Sequence, residues 1–187
     1  FQLGLGASGP QVVEGWYGQP YPKPLARTRE YVEIIRRVLA REEPLDFQGE
    51  QYRIPNLGEG TTGLGKAIKS ITHPRRADLP ILLGAEGPKN VALAAEICDG
   101  WLPIFLSPTL DTHYRECLAE GFARPGARHT GLDTFEIPNM VQISIGDDVE
   151  EAAAFVRMSL GFYIGGMGAK EANFHADVFT RMGYGDV

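Results

Sequence analysis

The stretch LPILLGAEGPKNVALAAEICDGWLPIFL, residues 79–106, decides the fold. Leu79–Gly84 is a short apolar run, Pro88–Cys98 reads as an Ala-rich helix with a proline in its first turn, and Gly100–Leu106 is a second apolar run. Strand, helix and strand within about 28 residues is the length of one βαβ unit. Runs that are apolar on both faces belong to a parallel sheet covered by helices, so the chain is α/β.

The pattern continues on both sides. Upstream, Phe1–Gly6 reads as a strand reaching its terminal loop. Pro24–Arg41 then carries Leu25, Thr28, Tyr31, Val32, Ile35, Val38 and Leu39 on one helical stripe. Downstream, helices are expected at Pro108–Phe122 and Val149–Leu160, with a strand at Ile137–Ile145 between them. Residues 44–78 are a Gly- and Pro-punctuated excursion too long for an ordinary connection. They read as a covering loop in which Gln51–Ile54 and Ile68–Thr72 form a small hairpin. Residues 161–187 carry Gly161, Gly165, Gly166 and Gly168 beside Phe162 and Tyr163. They read as a helical tail packed on the outside of the fold or against a partner chain, which makes a homodimer the expected assembly. All 187 residues are taken as one domain.

Composition narrows the function classes. With 43% hydrophobic and 22% charged residues the chain holds one ordinary core, and its net charge of -6 gives no basis for broad attraction to nucleic acid or anionic membranes. No apolar stretch approaches the roughly 20 residues of a membrane span. Cys98 and Cys117 match neither a disulfide framework nor a metal-ligand spacing, so they read as buried reduced thiols and favour a cytoplasmic protein. His73, His113, His129 and His175 share no metal-binding spacing, so no metal is expected.

Three glycine loops compete for the functional role. Gly4–Gly9 fits G-x-G-x-x-G, but Pro10, Gly15, Gly18 and Pro20 interrupt the long helix a dinucleotide fold needs. The acidic residue about 20 positions on is Glu30, which lies inside the amphipathic helix. What remains is a strand-end loop that brings backbone close to a ligand, or a tight turn. Gly60–Lys66 resembles the start of a phosphate-binding loop, yet Ala67 replaces the magnesium-holding hydroxyl and no strand precedes it, so the match is a coincidence of composition. Gly84–Asn90 is more informative. It joins an apolar strand to a helix whose first-turn N–H groups, dipole and Lys89 ammonium all favour an anion, the competing reading being a plain connection. Glu14 and Trp16 follow the first loop, where they serve either as acid/base and aromatic wall at a pocket rim or as loop anchors.

Gly4–Trp16, Pro24–Tyr31, Gly84–Ala94, Asp99–Pro103, Tyr163–Ala169, Asn173–His175 and Arg181–Tyr184, in this order, resemble the luciferase-like monooxygenase superfamily in its actinobacterial branch using the deazaflavin coenzyme F420. The resemblance implies a (β/α)₈ TIM barrel, with the present strands similar to the fourth to seventh of eight. The first three and the eighth strands are then absent, so the sequence reads as an internal portion of a longer polypeptide, the alternative being a remainder on another chain. It further implies an oxidoreductase moving hydride between F420 and a small organic substrate, with two rivals. One is an FMN-dependent monooxygenase on the same barrel, the other a non-catalytic cofactor-binding module. By resemblance, Ala7, Ser8, Gly9 and Gln11 approach the deazaflavin and its ribityl chain, and Ala85, Glu86, Gly87, Pro88 and Lys89 cradle its phosphate. Relatives that oxidise sugar phosphates often carry a Glu in the first loop. Gly9 stands near that position here, so the resemblance does not extend to that role or substrate. Glu14 is the candidate acid/base within this sequence, while the main catalytic acid is expected outside it.

Overall fold

The computed structural model describes residues 1–168 and 173–185. Its elements in chain order are β1 (Leu3–Gly6), α1 (Pro10–Gly15), α2 (Pro24–Ala40), β2 (Phe47–Gln48), β3 (Arg53–Ile54), β4 (Ile81–Gly84), α3 (Pro88–Ile97), β5 (Gly100–Leu102), α4 (Asp111–Phe122), α5 (Val149–Gly161) and α6 (Phe174–Phe179). β1, β4 and β5 form a parallel sheet in that order, with Leu3 opposite Ile81, Gly6 opposite Gly84 and Gly84 opposite Leu102. This is the α/β arrangement of barrel strands followed by helices.

Side chains alternate across the sheet. Ile81, Leu83 and Trp101, with Leu3 and Leu5 packed against them, face a helical layer supplied by Val32, Val91, Ala94, Ala95, Tyr114 and Leu118. Trp101 lies against the Tyr114 ring at 4.8 Å between centroids. α3 and α4 approach so closely that a methyl group at Gly121 would fall inside the Ala92 carbonyl, and only glycine fits there. Outside this core, the Arg29 guanidinium forks onto the Glu96 carboxylate at 2.6 and 2.5 Å, and Arg124 adds a third bond at 2.8 Å. The Arg29 bond, opposed by burial and reinforced by Arg124, holds the Glu96 carboxyl below its usual range. The three side chains tie α2 and α3 to the end of α4.

The entry end of the sheet is fastened by Asp99. Its carboxylate accepts from the Ile81 amide at 2.9 Å, Arg36 at 3.0 Å and Arg128 at 2.5 Å. Burial alone would raise this carboxyl; the bonds from Arg128, the Ile81 amide and Arg36 outweigh it and hold it at about 2.

Several expectations are corrected. Residues 137–145 form no strand: only Glu136 pairs, in a parallel bridge to Gly100, and Met140–Ile145 lies exposed. Alternating apolar side chains become a strand only where a neighbouring ladder continues, and here it stops after the Trp101 amide has bonded the Glu136 carbonyl at 2.9 Å. β5 ends at Leu102 because Pro103 has no N–H to extend the pairing. In the 44–78 excursion Arg53–Ile54 pairs with Phe47–Gln48, and Ile68 bridges to Leu45. The reason is Glu30. Its carboxylate collects the amides of Glu50, Gln51 and Tyr52 at 2.8, 2.9 and 2.9 Å and so fixes the turn between β2 and β3. On α2 the buried residues are Thr28, Val32 and Ile34, whereas Tyr31 and Val38 are exposed. The described part of the tail reaches both the helical layer, where Met182 packs against the core, and the strand-end loops. α6 and the turn after it fold onto the rim beyond the C-terminal strand ends; the part of the expected tail helix at 169–172 and the end of the tail at 186–187 lie outside the described residues.

Candidate functional site

Because Gly6 and Gly84 are in register on adjacent parallel strands, the loops that follow them leave the sheet side by side. The sequence-assigned groups Ala7, Ser8, Gly9 and Gln11 and Ala85–Lys89 therefore share one rim. Between them, the sheet face opposite the helices carries Gly4, Gly6, Gly84 and Gly100, interrupted by Leu82 and Leu102. Gly6 is open, with no atom within 4 Å of where a methyl group would stand, whereas Gly100 is covered: a methyl group there would meet the Glu136 carbonyl oxygen at 2.5 Å and the Leu82 side chain at 3.0 Å.

The first loop turns at Ser8, whose φ of 58° is the left-handed region that a non-glycine residue enters only when its surroundings hold it there. The holder is Tyr21, whose hydroxyl donates to the Ser8 carbonyl at 2.8 Å. Gly9 then caps α1, its carbonyl accepting from the Val12 and Val13 amides at 3.2 and 3.0 Å. Gln11 is exposed. Glu14 accepts from the Tyr21 amide at 3.3 Å, so in this structure it anchors the loop, and Trp16 stands exposed without forming a wall.

The second loop is the more firmly built. Trp101, buried in the core, donates its indole N–H to the Ala85 carbonyl at 2.7 Å. Gly87 caps α3, Pro88 occupies its first turn, and Lys89 follows in the same turn, exposed. Glu86 departs from its expected part. Its carboxylate is taken by His175 Nδ1 at 2.9 Å, and Arg181 donates to its backbone carbonyl at 3.5 Å. The loop after β5 joins the same assembly through Phe105, whose ring meets Tyr163 at 5.6 Å, His175 at 6.0 Å and Phe179 at 5.0 Å. The tail thus clasps two of the three strand-end loops.

Trp101, His175, Arg181 and Phe105 were not among the site residues read from the sequence. His175 stands 89 residues from Glu86, and nothing in a single sequence joins two such positions. The phosphate-loop lookalike Gly60–Lys66 lies exposed, with no strand directly before it and no helix directly after it. Cys98 is fully buried and its thiol is pushed up to about 12 by burial, which leaves it unreactive. Chemically, the rim offers open backbone at Gly6, a helix N-terminus with a lysine in its first turn, and two glycine-bearing loops. That combination suits a planar ring carrying an anionic chain.

Residues 1–185 match the family model described as luciferase-like monooxygenase. A Mycobacterium tuberculosis protein, Rv3520c, whose name assigns it provisionally to the coenzyme F420-dependent oxidoreductases, is 66% identical over 99% of this chain and 53% of its own length. The 5,10-methylenetetrahydromethanopterin reductase of Archaeoglobus fulgidus is 30% identical over 88% of this chain and 44% of its own length. Among solved structures, the coenzyme F420-dependent tetrahydromethanopterin reductase of Methanopyrus kandleri superposes with a TM-score of 0.71 at 22% identity, covering 97% of this chain and 50% of that one. The chain spans about half the length of the curated relatives it matches.

Proposed function

The chain belongs to the luciferase-like monooxygenase family, and from that premise we propose that it contributes the phosphate side of the cofactor site in an oxidoreductase that moves hydride between coenzyme F420 and an organic substrate. The observation that carries the reading is the register of Gly6 with Gly84, which sets two strand-end loops beside a glycine-floored sheet face. When bound, the deazaflavin supplies the hydride-exchanging carbon. This chain's residues hold and orient. The open backbone at Gly6 admits a flat ring: a Cβ there would find no neighbour in the chain within 4 Å. The α3 amides and Lys89 receive the phosphate, and the Tyr21 bond to Ser8 and the Trp101 bond to Ala85 keep the two loops in position. Glu86, bound to His175, contributes through the shape of its loop.

Titration of the intact protein with F420 and with FMN tests this. Saturable binding of F420, weakened roughly five- to tenfold by Lys89→Glu through reversed charge at the helix start, is expected. Absence of binding to either cofactor, or an affinity indifferent to Lys89→Glu, refutes the assignment. Selective binding of FMN with oxygen uptake by the reduced complex replaces it with flavin monooxygenation.

A further inference from the structure

A second cavity lies behind the glycine-floored face, on the helical side of the sheet. Its floor is Leu5 and Leu83, and its walls are the first half of α2, the α1–α2 connection and the β2–β3 turn. Its volume is about 180 Å³. Three phenol rings, Tyr21, Tyr31 and Tyr52, line it, and Tyr31 and Tyr52 lie 5.9 Å apart between centroids.

One charge enters this cavity. Arg27, on the α2 face that also bears Thr28 and Tyr31, has its Nε buried with no hydrogen-bond partner, and it takes part in none of the ion pairs among the described residues. The neighbouring carboxylate on the helix, Glu30, is engaged by three backbone amides. Burial raises the Tyr21 and Tyr52 hydroxyls, so both stay neutral and leave Arg27 uncompensated. Arg27 is half-buried, its Nε is shut away from water without an acceptor, and the planar fork of a guanidinium matches a carboxylate.

We propose that this cavity is a binding site for a small aromatic monocarboxylate, its carboxylate on Arg27 and its ring among the three tyrosines. Size and charge both select that class. A cavity of roughly 150 Å³ holds a benzene ring, so the space here takes one ring plus a carboxylate. A single cation balances a monoanion and would leave a phosphate dianion half compensated in a largely apolar site. The site touches Gly6 and Ala7 at its mouth, so occupancy bears directly on the first strand-end loop.

Calorimetric titration of the intact protein with benzoate, and with benzyl alcohol as its uncharged counterpart, tests the proposal. One benzoate per chain is expected, with benzyl alcohol at least tenfold weaker and Arg27→Gln at least tenfold weaker for benzoate. Arg27→Lys, which keeps the charge but loses the fork, is expected to fall between and carries the test should Arg27→Gln fail to fold. No saturable benzoate binding, equal affinity for the alcohol, or unchanged affinity in the Arg27→Lys protein overturns it.

Discussion

Replacing Trp101 by phenylalanine separates the packing of the core from the positioning of the rim. The side chain is 1% exposed, and its indole N–H is the donor to the Ala85 carbonyl, itself on a buried residue. Phenylalanine keeps an aromatic ring beside Tyr114 but removes that donor and part of the ring volume. A buried carbonyl left without a partner costs about 1–3 kcal/mol. The smaller ring adds ~1 kcal/mol of cavity. A fall of about 2–4 kcal/mol in unfolding free energy is therefore expected, read from urea denaturation of the intact protein. The positioning role adds a second consequence. Under conditions where the variant is fully folded, its F420 affinity should still drop several-fold, because Ala85 begins the loop proposed to hold the phosphate. Cys98→Ala supplies the control. That residue is fully buried in the same core but contacts neither loop by hydrogen bond, so it should lose ~1 kcal/mol of stability and keep its affinity. A stability loss under about 0.5 kcal/mol for Trp101→Phe, or equal affinities in both variants, refutes the reasoning.

Acid sensitivity should trace partly to Asp99. Its carboxyl is held at about 2 in the folded chain, below the ordinary value it regains on unfolding, so its contribution is complete above about pH 5 and fades as the pH falls toward 2. Asp99→Asn should cost about 1–2 kcal/mol at pH 7, after allowance for solvent screening, and flatten the stability profile between pH 5 and pH 2; parallel profiles for the two proteins would contradict this. Cys98, its thiol pushed up to about 12, should resist a disulfide reagent at pH 8 in the native protein and react within the dead time once unfolded. Rapid native labelling at Cys98, located by peptide mapping, would show that the core opens there.

The β4–α3–β5 unit, α2, α4 and α5 were readable because their signals are local: apolar runs, a helical stripe, and a proline at the start of α2 and α3. The two strand-end loops were readable for the same reason. What escaped depends on distant partners. Val141, Ile143 and Ile145 alternate as a strand would, but pairing is a property of the neighbour, and only Glu136 finds one. Glu30 read only as a polar residue of the amphipathic helix, yet its carboxylate is engaged by the β2–β3 turn, a contact no spacing encodes. Glu86 looked like a ligand contact because it sits in a strand-to-helix loop whose free first-turn amides favour an anion. His175, far along the chain, redirects its side chain.

The strand order has a consequence in time. β4 and β5 are joined by one helix, whereas β1 reaches β4 only after α2 and the whole 44–78 excursion have been traversed. Closing the longer loop costs about 1.4 kcal/mol more chain entropy, and this cost falls before any β1 contact is gained. The β4–α3–β5 unit is therefore expected to form before β1 docks onto it. The two loops of the rim, adjacent in space, are born at different moments. Mutations in β1 should accordingly speed unfolding more than they slow folding, and the half of the rim carried by Ala7–Gln11 is the half that opens first.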